Sequence, residues 1–271
     1  MAAHSIAGGV FSAASPAPVR RGTTAEVADL TDSFETMRTE IQRQLELRNE
    51  FLANASHELR TPLTALKGYI DLLEDGAVER PEVRTRFLAS MGAETNRLIR
   101  LVDDLLTLSR SDWSAQLASH PVAWSPFVRG VVEGVRTAQL ALIFSGPDDQ
   151  RNVSLDADRM KQVLLNLIAN GVAHAETSVH VSIAVEPGWV LAAVADDGPG
   201  IASADQARVF DRFVRLDVAR ARSTKNGESG SGLGLATSRS LVEAHGGTLT
   251  IEGANVDGTG ARFVVRLPVP A

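Results

Sequence analysis

The sequence predicts an α+β chain, with an N-terminal helical hairpin followed by a C-terminal two-layer α/β sandwich. Three observations carry this. Between residues 41 and 73, apolar side chains recur at Ile41, Leu45, Leu52, Leu59, Leu63, Leu66, Ile70 and Leu73, at spacings of threes, fours and sevens. A second run of the same period opens at Pro81, with seam positions Phe87, Met91, Leu98, Val102, Leu105 and Leu108. Beyond residue 126 the pattern breaks into shorter helices alternating with mostly antiparallel strands, as a sheet covered by helices requires.

Taken in order, residues 26–75 read as one long helix ended by Gly76, and the second helix runs from Pro81 to about Trp113. Two helices joined by a short turn form an antiparallel hairpin. One hairpin cannot bury both its faces, so two copies are expected to pair into a dimeric four-helix bundle, a homodimer that follows from burial alone. Residues 120–126 read as a linker. A helix is expected over about 126–140, a strand near 151–155, and a helix over about 157–175 with Asp156 as its N-cap. Strands follow at 179–186 and 189–195, then a Gly/Pro-rich loop at 196–201 and a polar stretch to Gly230. A helix over about 232–245 stops at Gly246-Gly247. The last strands, 248–253 and 261–267, are joined through Asp257-Gly258.

Composition narrows the function. The chain has 271 residues, a net charge of -6 and no long basic run, so nucleic acid is not an expected partner. It has no cysteine, which excludes disulfides, thiolate zinc sites and thiol catalysis. No apolar run reaches the roughly 20 residues that span a bilayer. The chain as given is therefore expected to be soluble and cytoplasmic. His4, His120, His174, His180 and His245 show no metal-ligand spacing and read as structural or surface groups.

Four clusters carry chemistry. His57 is followed by Glu58, Leu59, Arg60, Thr61 and Pro62 on the first helix. At about 100° per residue, His57 lies roughly 160° from Leu59 and 120° from Leu63, so it points away from the seam; Thr61 falls within about 40° of it. Pro62 removes a helical N–H beside this face. Asn166 and Asn170 share one face of an otherwise apolar helix, where amide oxygens could bind magnesium or where the pair could simply hold an interface. Asp196-Asp197-Gly198-Pro199-Gly200-Ile201 ends a strand in a turn that admits close backbone approach; it reads equally as a plain Asp-Gly turn. Gly230-Ser231-Gly232-Leu233-Gly234-Leu235 opens a helix whose bare N–H groups could face phosphates. It has neither dinucleotide nor Walker spacing.

In this order the clusters resemble a sensor histidine kinase of bacterial two-component systems. Phe51-Leu-Ala-Asn-Ala-Ser-His-Glu-Leu-Arg-Thr-Pro-Leu63 is similar to that family's H box, Asn166 to Asn170 to its N box, and Asp196 to Ile201 to its G1 box. Val209-Phe-Asp-Arg-Phe213 resembles the F box, Gly230 to Leu235 the G2 box, and Gly260-Ala-Arg-Phe263 the last glycine box. The resemblance implies a Bergerat-type ATP-binding fold over residues 122–271 and a dimerisation and phosphotransfer hairpin over 41–118. Residues 1–40 resemble part of a HAMP connector and its second helix, so the chain reads as the cytoplasmic portion of a membrane-anchored receptor of the bacterial plasma membrane.

The implied activity is autophosphorylation of His57 from Mg-ATP, followed by transfer to an aspartate of a response regulator receiver domain. Glu58 would act on the imidazole, and Thr61 on a water in a phosphatase reaction. ATP would contact Asn166, Asn170, Asp196, Gly198, Gly200, Ile201, Gly230, Gly232, Leu233, Gly234 and Leu235. Residues 202–229 would form a lid carrying Arg212, Arg215 and Lys225, and Asn170 would be the Mg2+ ligand. The chain departs from the family at Gly171, Ala173 and His174, where alanine, a basic residue and an aromatic are usual. A non-catalytic dimeric scaffold would not need His57, Glu58 and Asp196 intact. An ATPase of the gyrase and chaperone group would lack the His-Glu helix and carry a glutamate at Asn166.

Overall fold

The computed structural model describes residues 25–74, 81–109, 117–137, 140–215, 231–252 and 260–269. It divides into two units, residues 1–53 and 54–271. Helix α1 (Ala25–Glu74) is continuous through Pro62, and α2 (Pro81–Ser109) follows. The described residues of the N-terminal unit are the first part of α1. There Leu30, Phe34, Met37, Ile41 and Leu45 stay exposed at spacings of four and three, a stripe that no described residue covers. Its polar faces are tied locally, as by the Arg43–Glu40 pair at 3.0 Å.

In the second unit, Tyr69 near the end of α1 lies 5.5 Å from Phe87 near the start of α2, as an antiparallel hairpin requires. Phe87, Met91, Leu98 and Leu105 are partly buried, whereas Leu88, Ile99, Val102 and Leu106 are exposed. Helix α2 thus carries two apolar faces, and the chain covers one of them. Among the described residues no helix is long and apolar enough to cross a membrane.

Strand β1 (His120–Ala123) and β3 (Asn152–Leu155) pair antiparallel as a small ribbon. The main sheet has the order β2-β4-β5-β7-β6, built from β2 (Ala141–Ser145), β4 (Ser178–Glu186), β5 (Trp189–Asp196), β6 (Thr248–Ile251) and β7 (Arg262–Pro268). Among the described strands, only the edge pair β2–β4 is parallel. Helices α3 (Trp124–Glu133), α4 (Ala157–His174) and α5 (Gly234–Ala244) contribute the other side of the core. On α4, Met160, Val163, Leu164, Leu167, Ile168 and Gly171 form the buried stripe. Truncating Leu164 or Leu167, both fully enclosed, costs about 2–5 kcal/mol.

Three expectations need correction. The segment expected to be a linker is β1, because its backbone finds partners in β3, from His120↔Leu155 to Ala123↔Asn152. Helix α3 starts two residues earlier, where Trp124 is buried and donates its indole N–H to Leu191 O at 3.1 Å, and it ends at Gly134. Strand β2 was not expected at all; its four apolar residues in a row carry no period. The Asp156 cap is as expected, its Oδ1 accepting from Arg159 N at 3.1 Å. Gly76, Trp113 and the Asp257-Gly258 loop lie outside the described residues.

Candidate active site

His57 is exposed on α1 and Glu58 beside it is partly buried. Thr61 is exposed too, and its hydroxyl donates to the His57 carbonyl at 3.3 Å, which places both on one face as the period demands. Pro62 packs inward and is buried. An imidazole in water with a carboxylate one residue on is accessible to a large reactant.

The second set of residues converges at one end of the sandwich. Asn166 Nδ2 donates to Gly234 O at 3.3 Å and lies 3.5 Å from Ser238 Oγ, tying α4 to the start of α5. A Cβ on Gly234 would come within 3.7 Å of that amide. Asn170 is half-buried one turn on, and its side chain makes no hydrogen bond with the described residues. Asp196 ends β5, buried, with Oδ1 accepting from Gly198 N at 3.0 Å and Ala261 N at 3.3 Å. Gly198 has no room for a side chain, since a Cβ would sit 2.3 Å from the His174 carbonyl. Gly200 has φ +76° and would press a Cβ to 2.8 Å from Gly260 O, so the two glycine turns touch through their backbones. Gly232 has φ +70° and accepts through its carbonyl from Phe213 N at 2.9 Å. The segment around Val209 to Phe213 is thereby hooked onto the turn that opens α5.

The side chains of Leu233 and Leu235 go elsewhere. Leu233 is fully buried and Leu235 packs on the core, so only their backbones border the turn. Ile201 likewise packs against the core. Arg212 is exposed and Arg215 half-buried at the end of the described part of the expected lid. Gly230 and Lys225 lie outside the described residues. Ala173 is exposed on α4, and Gly171 lets α4 approach the sheet, since a Cβ there would come to 3.1 Å from Val179 Cγ1.

Two neighbouring carboxylates behave oppositely. Burial pushes the pKa of Asp196 up, against the Gly198 and Ala261 N–H groups and the positive form of His174, which pull it down. Burial also opposes ionisation of Asp197, yet the hydrogen bonds from Thr177, Ser178 and Glu176 win and hold it well below the usual carboxylate range. Two residues with structural consequences escaped the sequence reading. Asp197 is one. The other is Asp104, buried in α2 against Gln162 of α4, whose Nε2 lies 3.5 Å from its Oδ1. The signal for Asp104 was its register, three residues after Leu101 and four before Leu108 on the buried stripe. His245 is structural, as expected: Nε2 accepts from Asp156 N at 3.0 Å while Nδ1 faces Leu241 O at 2.7 Å.

Comparison with known proteins agrees with this geometry. Residues 47–112 match the His Kinase A (phospho-acceptor) domain. Residues 155–271 match the histidine kinase-, DNA gyrase B- and HSP90-like ATPase family. The sensor histidine kinase WalK of Bacillus subtilis is 36% identical over 240 residues, covering 85% of this chain and 38% of that protein. The probable sensor histidine kinase TcrY of Mycobacterium tuberculosis is 37% identical over 262 residues, covering 90% of this chain and 52% of that protein. The chain belongs to the sensor histidine kinases of two-component systems.

Among solved structures, the Acinetobacter baumannii histidine kinase AdeS superposes with a TM-score of 0.60 at 25% identity, over 79% of this chain and 98% of that one. Full-length ShkA, solved in complex with AMPPNP, gives 0.58 at 30% identity, over 82% and 46%. The helical region followed by an α/β ATPase sandwich is thus the histidine kinase arrangement. The chain spans about half or less of the curated kinases it matches.

Proposed function

We propose that this chain is the catalytic portion of a sensor kinase that autophosphorylates His57 from Mg-ATP and passes the phosphoryl group to an aspartate of a response regulator. The observation that carries the reading is the joint presence of an exposed His57 on α1, with Glu58 partly buried beside it, and of Asn166 and Asp196 held by hydrogen bonds to the backbone of Gly234, Gly198 and Ala261. ShkA, a structural relative with AMPPNP bound, supports nucleotide at the second of these.

The nucleotide would lie over the Asn face of α4, between the turn after β5 and the start of α5. Asp196, held by two backbone N–H groups, is oriented to accept a hydrogen bond from an exocyclic amine such as that of adenine. The opening turn of α5 offers N–H groups and a helix dipole to phosphate oxygens. Arg212 and Arg215 stand at the edge of the lid. The donor set suits Mg2+: Asn170 supplies a hard amide oxygen whose side chain is unengaged by described residues, and the ion would neutralise phosphate charge.

At His57 a neutral ring nitrogen attacks the γ-phosphorus; the N–P bond forms as the bond to the β-bridging oxygen breaks, and ADP leaves. Glu58 would accept a hydrogen bond from the other ring nitrogen, fixing the tautomer and stabilising the imidazolium that forms. Little covalent work remains, so positioning and charge neutralisation dominate. Thr61, on the His57 face, would orient a water for dephosphorylating the regulator. The exposed stripes on α1 and α2 support a homodimer formed through a four-helix bundle. Residues 1–40 read as part of a HAMP module, 41–118 as the phosphotransfer hairpin and 122–271 as the ATP-binding domain. The parent protein would be anchored in the plasma membrane, with this portion in the cytoplasm.

Incubation with γ-labelled ATP and Mg2+ tests the assignment. Label on the parent should be acid-labile and alkali-stable, and absent from His57→Gln, while nucleotide affinity is unchanged. Label retained by the variant, or stable in acid, would sink it.

A further inference from the structure

The residue after Asp196 makes more of the site than its neighbour's chemistry explains. Asp197 Oδ1 accepts from Glu176 N at 2.7 Å and Thr177 N at 3.1 Å. Its Oδ2 accepts from Thr177 N at 3.0 Å, Ser178 N at 3.0 Å, Ser178 Oγ at 3.3 Å and the Thr177 hydroxyl. Every one of these donors belongs to the turn between α4 and β4 or to the first residue of β4. That turn begins where Ala175 N closes α4 on Gly171 O at 2.7 Å. It also reaches the sheet edge, since Thr177 O accepts from Ala141 N at 3.0 Å.

The two segments joined by this carboxylate are the two halves of the nucleotide pocket. On one side is α4, with Asn166, Asn170 and its last residue His174. On the other is the turn of Asp196, Gly198 and Gly200. They already touch, for the His174 carbonyl fills the space a Gly198 side chain would need. Such contact has to be held in register, because neither segment alone fixes its distance from the other.

We propose that Asp197 is a positioning residue of the nucleotide site, clamping the end of α4 onto the turn after β5 so that the Asn face and Asp196 address one ligand together. The inference rests on the nucleotide reading given above. The plainer role is an anion satisfying successive N–H groups of a turn, which affects stability alone. The two differ in what a variant does to binding. A purely stabilising carboxylate, once removed, lowers the fraction of folded protein and leaves the dissociation constant of that fraction unchanged. A positioning carboxylate raises the constant itself.

The experiment uses the full chain, with ADP and ATP as probes, in calorimetric titration and initial-rate measurements. Asp197→Ala should raise the dissociation constant and KM for ATP about tenfold, the scale of one charge-assisted hydrogen bond, while saturated kcat changes little. Thr177→Val, which removes a single donor, should move both in the same direction by less. The carboxylate remains ionised throughout, so the ratio of variant to parent constants should stay flat between about pH 5.5 and 8. Amide exchange at Glu176, Thr177 and Ser178 should quicken in Asp197→Ala. Unchanged affinity in the variant, with fewer active molecules, overturns the clamp. Failure of the parent itself to bind nucleotide overturns the nucleotide reading and the clamp with it.

Discussion

Replacing Asp104 by asparagine should stabilise the protein at neutral pH and do nothing in acid. Asp104 is 8% exposed on α2, where it meets Gln162 of α4 and Thr237 of α5. The Thr237 hydroxyl is buried without a partner at hydrogen-bond length, and it is the foremost of the groups that favour the ionised carboxylate. Burial is the dominant influence and pushes the pKa from 3.8 to about 6; Asp103 adds to this, while Thr237, Gln162 and Arg100 oppose it. The sign follows from linkage. A group whose pKa rises on packing binds its proton more tightly in the packed state, so its contribution is full below about pH 4 and is lost as pH climbs through about 6. A shift of roughly two units corresponds to about 3 kcal/mol between those limits. Asparagine keeps an acceptor for Gln162, carries no charge and should remove the slope. At pH 7.5 the variant should gain up to about 3 kcal/mol in urea unfolding, or about 1 kcal/mol where water reaches the parent's carboxylate by local opening of α2. The gap should close as pH falls towards about 4. Hydrogen exchange over residues 101–108 should slow in the variant at neutral pH. Parallel stability curves for the two proteins, or a variant weaker at pH 7.5, would refute the reasoning.

Asp196→Asn should weaken ATP binding by roughly 1.5–3 kcal/mol in calorimetric titration, through loss of one charge-assisted hydrogen bond, with a smaller effect on melting because an amide oxygen can still accept from Gly198 and Ala261. Thr61→Ala should leave autophosphorylation largely intact and lower phosphatase activity towards the regulator, since the hydroxyl lies one turn from His57; equal phosphatase rates would remove it from the site. Ala173→Lys, on an exposed position three residues past Asn170, should tighten ATP binding by up to about 1–2 kcal/mol. No gain there beside a large loss in Arg215→Ala would show that the lid already supplies the phosphate-facing cation.

What could be read from the sequence is what local chemistry fixes. The long helices follow from a sustained period, the α4 cap from Asp156 at its start, and the His57–Thr61 face from helical geometry alone. What escaped depends on distant partners. Strand β1 contains Pro121 and is four residues long; only pairing with Asn152–Leu155 makes it a strand. Strand β2 is a short apolar run whose parallel partner β4 lies beyond α4 in the chain.

Two of the chain's three Asp-Asp pairs show the same limit. Asp103-Asp104 and Asp196-Asp197 are the same dipeptide, and composition assigns them one chemistry. On α2 the helical rotation leaves Asp103 in water and turns Asp104 into the apolar stripe with Leu101 and Leu108, so burial governs its proton. At the end of β5, Asp196 is the last residue of the strand and is buried beneath the glycine turns. Asp197, one residue past it, reaches the N–H groups at the start of β4. There burial raises one pKa and hydrogen bonds from residues about twenty positions away lower the next. A carboxylate's role is therefore set by register and by its donors. The first can be counted along the chain; the second emerges only when the sheet brings the turn after α4 back beside the turn after β5.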